Sequence, residues 1–154
     1  RRTFEKWYDA STVPPHWADA VLGAPPQLAA PLACDFAPGA RLLAVDAPKT
    51  AKGGDTITVT WTWHANAAIA PGWKVFAHLD GPTYVNADHV PARPFELWKP
   101  GQDIRYPTEI TLPRVPGRYV LKAGMWNGKN APVTCKAVPV EANAVTVATI
   151  EVTP

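Results

Sequence analysis

Serine is nearly missing from this chain of 154 residues, because Ser11 is its single representative. A serine hydrolase carries its nucleophile in a motif such as GxSxG or SxxK, and neither occurs here. The glycine motifs that bind phosphates, the HExxH zinc motif and the EF-hand loop are missing as well. These absences exclude the usual serine hydrolases, nucleotide-binding enzymes and calcium sensors.

Charge and long apolar runs are also scarce. Charged residues make up 18% of the chain, the formal net charge is +2, and the lysines and arginines are scattered. Nucleic-acid-binding proteins cluster basic residues, so we expect no nucleic-acid partner. No apolar run reaches the roughly 18 residues that span a bilayer. Any membrane attachment is therefore expected through a partner or through an anchor ahead of the sequence.

The two cysteines, Cys34 and Cys135, match no metal-binding spacing such as CxxC. A bridge between them would close a loop of about 100 residues, a stabilisation of roughly 4 to 5 kcal/mol. The alternative is two unrelated buried thiols. The even cysteine count and the proline-rich composition favour a periplasmic or extracellular protein. The opening residues, RRTFEKWYDAS, lack an initiator methionine, which indicates a removed signal peptide or membrane anchor, or an arbitrary boundary.

Turn-forming residues are abundant, with 18 prolines and 10 glycines, and four Pro-Gly dipeptides each precede a strand-like stretch. The clearest strand is TITVTWTWH, in which threonines alternate with Ile57, Val59, Trp61 and Trp63. WKVFAHLD alternates in the same way. This pattern predicts an all-β domain over residues 39–154, a single antiparallel β-sandwich of about seven to eight strands.

Residues 1–38 do not alternate and are predicted to form an N-terminal arm rich in proline and tryptophan. Phe4, Trp7 and Tyr8 have helical spacing, and PPHWADAVLG, which contains Trp17, predicts a second short helix. APPQLAAPLA then predicts an extended, polyproline-like segment. These four aromatic residues are the candidate partner-binding residues, unless the arm packs on its own sandwich.

Polar side chains concentrate in residues 78–91, HLDGPTYVNADHVP. On a strand, His78 and Asp80 project from one face with Cα atoms ~6.6 Å apart, so both can reach one cation. A hairpin centred on the Thr-Tyr dipeptide would bring His89 opposite His78. With the adjacent Asp88, these residues form a candidate metal site, although Asp88 and His89 would point to opposite faces of an extended chain.

The same polar residues are also expected in a loop that binds no metal. Asp80, Asn86 and Asp88 then accept bonds from backbone N–H groups, as in Asx-turns, while the histidines attach the loop to its neighbours. His64, at the end of the threonine-rich strand, is expected to be a polar cap. No catalytic residue is assigned, and no cofactor is expected unless the polar stretch binds a structural cation.

Tryptophans outside the predicted core indicate a different kind of site. Trp98 directly precedes a Pro-Gly turn, and Trp126 directly precedes the Asn-Gly hairpin signal. Tryptophan on a sandwich surface stacks on sugar rings or anchors an interface, so both are candidates for ligand stacking. Packing over the end of the sandwich is the alternative.

Four motifs, WKVFAHLD, NADHVP, LWKPGQDI and PGRYVLKAGMWNG, occur in this order between about residues 40 and 128. Together they resemble a β-sandwich domain, largely uncharacterised, of exported or membrane-anchored bacterial proteins. The resemblance implies an immunoglobulin-like or jelly-roll accessory domain outside the cytoplasm, with no established activity. It also implies that His78, Asp80, Asp88 and His89 lie together.

These observations predict a non-catalytic accessory or scaffolding subunit that contacts other proteins in an envelope- or membrane-associated complex. A carbohydrate-binding module that uses surface tryptophans is the first alternative. The second is a small metal-dependent enzyme built on His78, Asp80 and His89.

Overall fold

The computed structural model describes residues 15–28 and 31–154, without the side chains of residues 15 and 16. These residues form one short helix, α1, one turn of 3-10 helix at Phe95–Leu97, and eleven strands. The helix spans Pro15–Asp19. The strands are β1 Cys34–Phe36, β2 Ala40–Asp46, β3 Thr50–Lys52, β4 Thr56–Ala65, β5 Lys74–Asp80, β6 Tyr84–Asn86, β7 Asp103–Thr111, β8 Gly117–Trp126, β9 Val133–Cys135, β10 Val140–Glu141 and β11 Ala144–Thr153.

Two sheets make a sandwich-like, all-β fold, as the alternating patterns predict. The first sheet has the order β7-β4-β2-β1-β9, and the second has the order β10-β11-β8-β5-β6, with β3 added in parallel to β11. The prediction of seven to eight strands in a plain sandwich is wrong, because one sheet curls into a half-barrel and several strands have only two or three residues. Such short strands carry too few residues for an alternating pattern to show.

The long strands form because one side of each is apolar. In β4, Ile57, Val59, Trp61 and Trp63 are buried, and the first three intervening threonines are not. Packing these faces against each other creates one core, in which the largest fully buried side chains are Trp61, Trp63, Tyr119 and Phe95. Tyr119 also donates a hydrogen bond to the carbonyl of Val115, so its hydroxyl is satisfied inside the core.

Pro-Gly turns separate the strands as predicted. The glycines of all four dipeptides have positive φ, between 91° and 144°. Two features require glycine at position 117: its positive φ, and a contact with Pro82, whose ring would lie 2.7 Å from a Cβ atom there. A side chain at this turn would therefore clash with the loop that precedes β6.

A disulfide joins Cys34 and Cys135, whose Cα atoms lie 4.4 Å apart. The two residues are paired partners in neighbouring antiparallel strands, β1 and β9. The bridge therefore attaches the first strand to a segment 101 residues later in the chain, and the alternative of two unrelated thiols is wrong.

The segment before β1 packs on the sandwich where it is described. The predicted second helix is present as α1, and the carbonyl of Trp17 accepts a hydrogen bond from Arg93. After α1, Ala20 is buried and Val21 forms a β-bridge with Ile104 of β7. Phe4, Trp7, Tyr8 and the predicted first helix lie outside the described residues.

The first sheet already includes β1, which precedes residue 39, while the division into an arm and a domain stays a prediction. None of the helices in the described parts of the chain has the length and apolar character needed to cross a membrane.

Candidate functional site

Strand β5 has one face buried in the core and another on the outer side of the second sheet. Val75, Ala77 and Leu79 are fully buried. The alternate residues are half-buried, and they are Lys74, Phe76, His78 and Asp80. The predicted alternation of this strand is confirmed. The outward residues of β5 therefore meet side chains from β6 and β8 above the sheet.

Four rings meet on this outer face around an open cleft of about 270 Å³. His78 stacks on Phe76 and on Tyr84, with ring centroids 6.4 and 5.5 Å apart and interplanar angles of 20° and 27°. Trp126, at the end of β8, contributes the fourth ring. Tyr84 is 62% exposed and Trp126 is 39% exposed. We call this group, together with Lys74, Asp88 and Asn130, the aromatic cleft.

The floor of the aromatic cleft depends on a glycine. Gly124 of β8 pairs with Phe76 of β5, and a Cβ atom at Gly124 would lie 2.2 Å from the Phe76 ring. The ring therefore rests directly on the backbone of β8. Any larger residue at position 124 would lift Phe76 away from the sheet.

The polar groups of the cleft balance each other in charge. Lys74 places its Nζ 4.6 Å from the centre of the Trp126 ring, a cation–π contact. Asp88 supplies a carboxylate, and Asn130 forms a β-bridge with Trp126. Beside the cleft, Asp80 contacts His78 at 3.1 Å and Lys122 at 3.7 Å. Because lysine and aspartate occur in equal number, the cleft provides donors and acceptors without a strong net field.

The hairpin that follows β5 does not have the predicted register. His78 pairs with Asn86, whereas His89 forms a β-bridge with Val75, whose side chain is buried. The prediction that His89 lies opposite His78 is wrong. Between the two pairs, a carboxylate oxygen of Asp88 accepts the backbone N–H of Ala77, in place of a regular ladder bond. The register is the same on both sides of this bond, so His89 points inward because it is paired with the buried Val75.

The four predicted metal ligands are consequently not brought together. His78 and Asp80 are outward, Asp88 binds the backbone beside the cleft, and His89 points to the core. Among the described residues, no three histidine, cysteine, aspartate or glutamate side chains are grouped so that they could share a metal ion. The prediction that these side chains accept backbone N–H groups is confirmed for Asn86 and Asp88. Asn86 accepts the N–H of Asp88 two residues on, as in an Asx-turn, whereas Asp88 accepts the N–H of Ala77 across the strands.

His89 belongs to a buried hydrogen-bond chain. Its Nδ1 lies 3.2 Å from the carbonyl oxygen of Ala87, and its Nε2 lies 2.7 Å from the hydroxyl of Tyr106. A carbonyl can only accept, so Nδ1 carries the proton and Nε2 accepts from Tyr106. Trp63 in turn donates to the Tyr106 hydroxyl at 3.2 Å. Burial lowers the pKa of His89 and raises the pKa of Tyr106, which keeps both groups neutral.

Stability is expected to fall as the pH drops below about 6.5, because the unfolded chain then protonates His89 while the folded protein resists protonation. Above that pH the neutral imidazole contributes its full stabilisation. Urea unfolding at neutral pH and at about pH 5 measures the difference. His89→Gln, which keeps a hydrogen-bonding group but does not titrate, should show a smaller loss over this interval. An equal loss of stability in both proteins would show that His89 is not the group responsible for the pH dependence.

Trp98 is not the surface residue that the sequence predicts. It is 3% exposed, its ring packs against Trp63 and Phe95, and its Nε1 donates to the carbonyl of Arg93. The Pro-Gly turn that follows folds the chain so that Trp98 closes one end of the core, which was the alternative interpretation. Of the two tryptophans predicted to stack on a ligand, only Trp126 lies in the cleft.

A row of polar side chains crosses the other sheet at the level of His64. Asp35, Arg41, His64 and Asp103 are successive cross-strand partners on four neighbouring strands. Arg41 binds Asp35 at 2.7 Å and lowers the pKa of that carboxyl group, while His64 lies 2.7 Å from Asp103. The predicted polar cap is therefore part of a cross-strand row that adds to sheet pairing.

Sequence reasoning missed part of the cleft. The alternation of WKVFAHLD puts Lys74 and Phe76 on the same side as His78, but it assigns them no role. Nothing in the sequence singles out Tyr84 or Asn130. The signal for Phe76 was present, because an aromatic residue on the polar side of an alternating strand marks an exposed ring. Tyr84 carries no such signal, since β6 has three residues.

No protein family matches the chain, and no curated protein matches it either. Among solved structures, the fold is similar to part of a β-glucosidase from Listeria innocua in complex with glucose, at 16% identity and a TM-score of 0.43. The match covers 75% of this chain and 16% of that protein. The chain thus spans about one sixth of the length of the β-glucosidase.

Proposed function

We propose that this chain is a non-catalytic module of an exported protein, and that it binds a carbohydrate in the aromatic cleft. The observation that carries the proposal is the grouping of four rings, two of them well exposed, with Lys74, Asp88 and Asn130 in one open cleft. Ligand sites typically combine apolar and aromatic walls with a few placed polar groups.

The chemistry of a sugar fits this combination. One side of a pyranose ring is lined by C–H groups, which stack on aromatic rings such as that of Trp126. Its hydroxyl groups both donate and accept hydrogen bonds. Asp88 has a second carboxylate oxygen beyond the one bound to Ala77, while Lys74 and Asn130 offer donors. The equal numbers of lysine and aspartate around the cleft favour an uncharged ligand.

A location outside the cytoplasm is supported by the disulfide between Cys34 and Cys135. Such bridges persist in oxidising compartments and are rare in a reducing cytosol. The resemblance to domains of exported or membrane-anchored bacterial proteins favours the same location. An immunoglobulin-like or jelly-roll ancestry is compatible with the two sheets.

Replacing Trp126 by alanine should weaken carbohydrate binding by roughly tenfold or more, because it removes the large exposed stacking ring beside Lys74 and Asn130. Titration calorimetry with cellohexaose, xylohexaose, chitohexaose and mannohexaose measures the affinity of each protein. Val115→Ala is the matched control, because Val115 is an exposed apolar residue outside the cleft lining and its truncation should leave binding unchanged.

Two outcomes would contradict this function. The first is that none of the four sugars binds the unaltered protein. The second is that a proline-rich peptide with the sequence of residues 24–32 binds the cleft in place of sugars, since aromatic grooves also accept such segments. Loss of binding in Val115→Ala as well would show that the effect of Trp126→Ala is not local.

The scaffolding role remains a separate proposal. It depends on Phe4, Trp7 and Tyr8 outside the described residues and on Trp17, which is partly buried against the sandwich. A protein partner from a bacterial envelope that is captured by the full chain, and lost on deletion of residues 1–14, would support it. The metal-dependent enzyme is not proposed, since His89 lies away from His78 and Asp80.

A further inference from the structure

We propose that the aromatic cleft contains two stacking subsites and therefore selects an oligosaccharide over the corresponding monosaccharide. This inference rests on the proposed carbohydrate binding. It concerns the length of the ligand, and it follows from where the two exposed rings lie on the sheet.

Trp126 and Tyr84 mark opposite ends of the cleft. In the strand register, Trp126 lies beside Lys74 and Tyr84 lies beside Asp80, on the two sides of β5. Lys74 and Asp80 are six residues apart on β5, a Cα separation of about 20 Å. The Tyr84 ring lies somewhat nearer to Trp126 than this, because it packs 5.5 Å from the ring of His78. A single sugar ring, similar in size to one aromatic ring, cannot stack on both.

Two further rings, those of His78 and Phe76, line the cleft between these ends. From Tyr84 the rings of His78 and Phe76 follow at centroid spacings of 5.5 and 6.4 Å. Phe76 rests on Gly124, so no β8 side chain obstructs the path at that position. A chain of sugar units can therefore cross from β8 over β5 to the edge strand β6 while it stays in contact with rings.

The polar residues that line the cleft lie towards its Trp126 end, which assigns the two ends different roles. Lys74 and Asn130 lie beside Trp126, and Asp88 binds the backbone of Ala77 in the middle of β5. Hydrogen bonds to sugar hydroxyls are thus concentrated near Trp126, which becomes the principal subsite. Tyr84, 62% exposed and stacked through one face on His78, adds a second subsite. The charged neighbours at this end, Asp80 and Lys122, lie beside the cleft and not in its lining.

The test compares monomers with hexamers in calorimetric titrations: glucose with cellohexaose, xylose with xylohexaose, N-acetylglucosamine with chitohexaose, and mannose with mannohexaose. The unaltered protein should bind the preferred hexamer at least about tenfold more tightly than its monomer. Tyr84→Ala should remove most of this preference without changing monomer affinity, whereas Trp126→Ala should weaken both. Tyr84→Phe, which keeps the ring, should retain the preference.

Each contrary result has a distinct meaning. If a monomer and its hexamer bind equally well, the second subsite is refuted and carbohydrate binding stands. If Tyr84→Ala keeps the full preference for the hexamer, Tyr84 is not that subsite. If no sugar binds, the proposed function itself fails. Thermal unfolding of each variant verifies the fold, which truncation of so exposed a side chain should leave intact.

Discussion

Replacing Cys34 and Cys135 together by alanine is expected to lower the free energy of unfolding by about 4 to 5 kcal/mol. The bridge joins residues that are 101 positions apart, and a cross-link over such a long loop removes much of the conformational entropy of the unfolded chain. Small domains have a free energy of unfolding of about 5 to 15 kcal/mol, so the double variant should be only marginally stable at about 37 °C.

Urea unfolding of the double variant and of the oxidised protein measures this loss. Reduced, unaltered protein is the necessary control, because Cys34 is fully buried and its substitution also removes packed sulfur atoms. The reduced protein isolates the effect of the cross-link. A loss below about 1 kcal/mol on reduction would mean that the unfolded chain is already compact around these residues.

Trp63→Ala is expected to cost about 3 to 5 kcal/mol, as truncation of a large buried aromatic residue usually does. Trp63 is fully buried, its ring packs against Phe36, Phe95 and Trp98, and its Nε1 donates to Tyr106. The substitution leaves a cavity in the core and removes the first donor of the hydrogen-bond chain that runs through Tyr106 and His89 to the carbonyl of Ala87.

The same substitution at Trp126 provides the matched control for this prediction. Trp126 is 39% exposed at the end of β8, so its truncation leaves the core filled and should cost clearly less, about 1 kcal/mol. Chemical unfolding of both variants gives the comparison. Equal losses would show that Trp63 contributes no more to the core than a surface ring does.

Strands with many alternating residues could be predicted from the sequence, whereas short ones could not. In β4 the alternation of Thr58, Val59, Thr60 and Trp61 marks both the strand and its buried face. In β10, two residues, Val140 and Glu141, are both exposed and carry no pattern at all. Such strands exist because a neighbour supplies their hydrogen bonds, which is information that the local sequence does not contain.

The candidate site was predictable only in part, for the same reason. Trp126 follows a recognisable strand and precedes a recognisable turn, so its position at the sheet end could be inferred. Trp98 looked equivalent in sequence, but the chain after the 3-10 helix folds it into the core. The orientation of His89 follows from the register of the hairpin, which pairs it with the buried Val75 and not with His78. The alternation within one strand does not encode such a cross-strand register.

The outer edge of β7 has a consequence for how the protein behaves at high concentration. This strand has nine residues and pairs with β4 on one side only, so its other edge, if uncovered, could pair with a strand of another molecule and start a fibre. Here Ala20 and Leu22 bind the backbone of Arg105 and Asp103, and Pro107 offers no N–H. The segment before β1 therefore covers part of this edge and hinders its pairing with a second molecule.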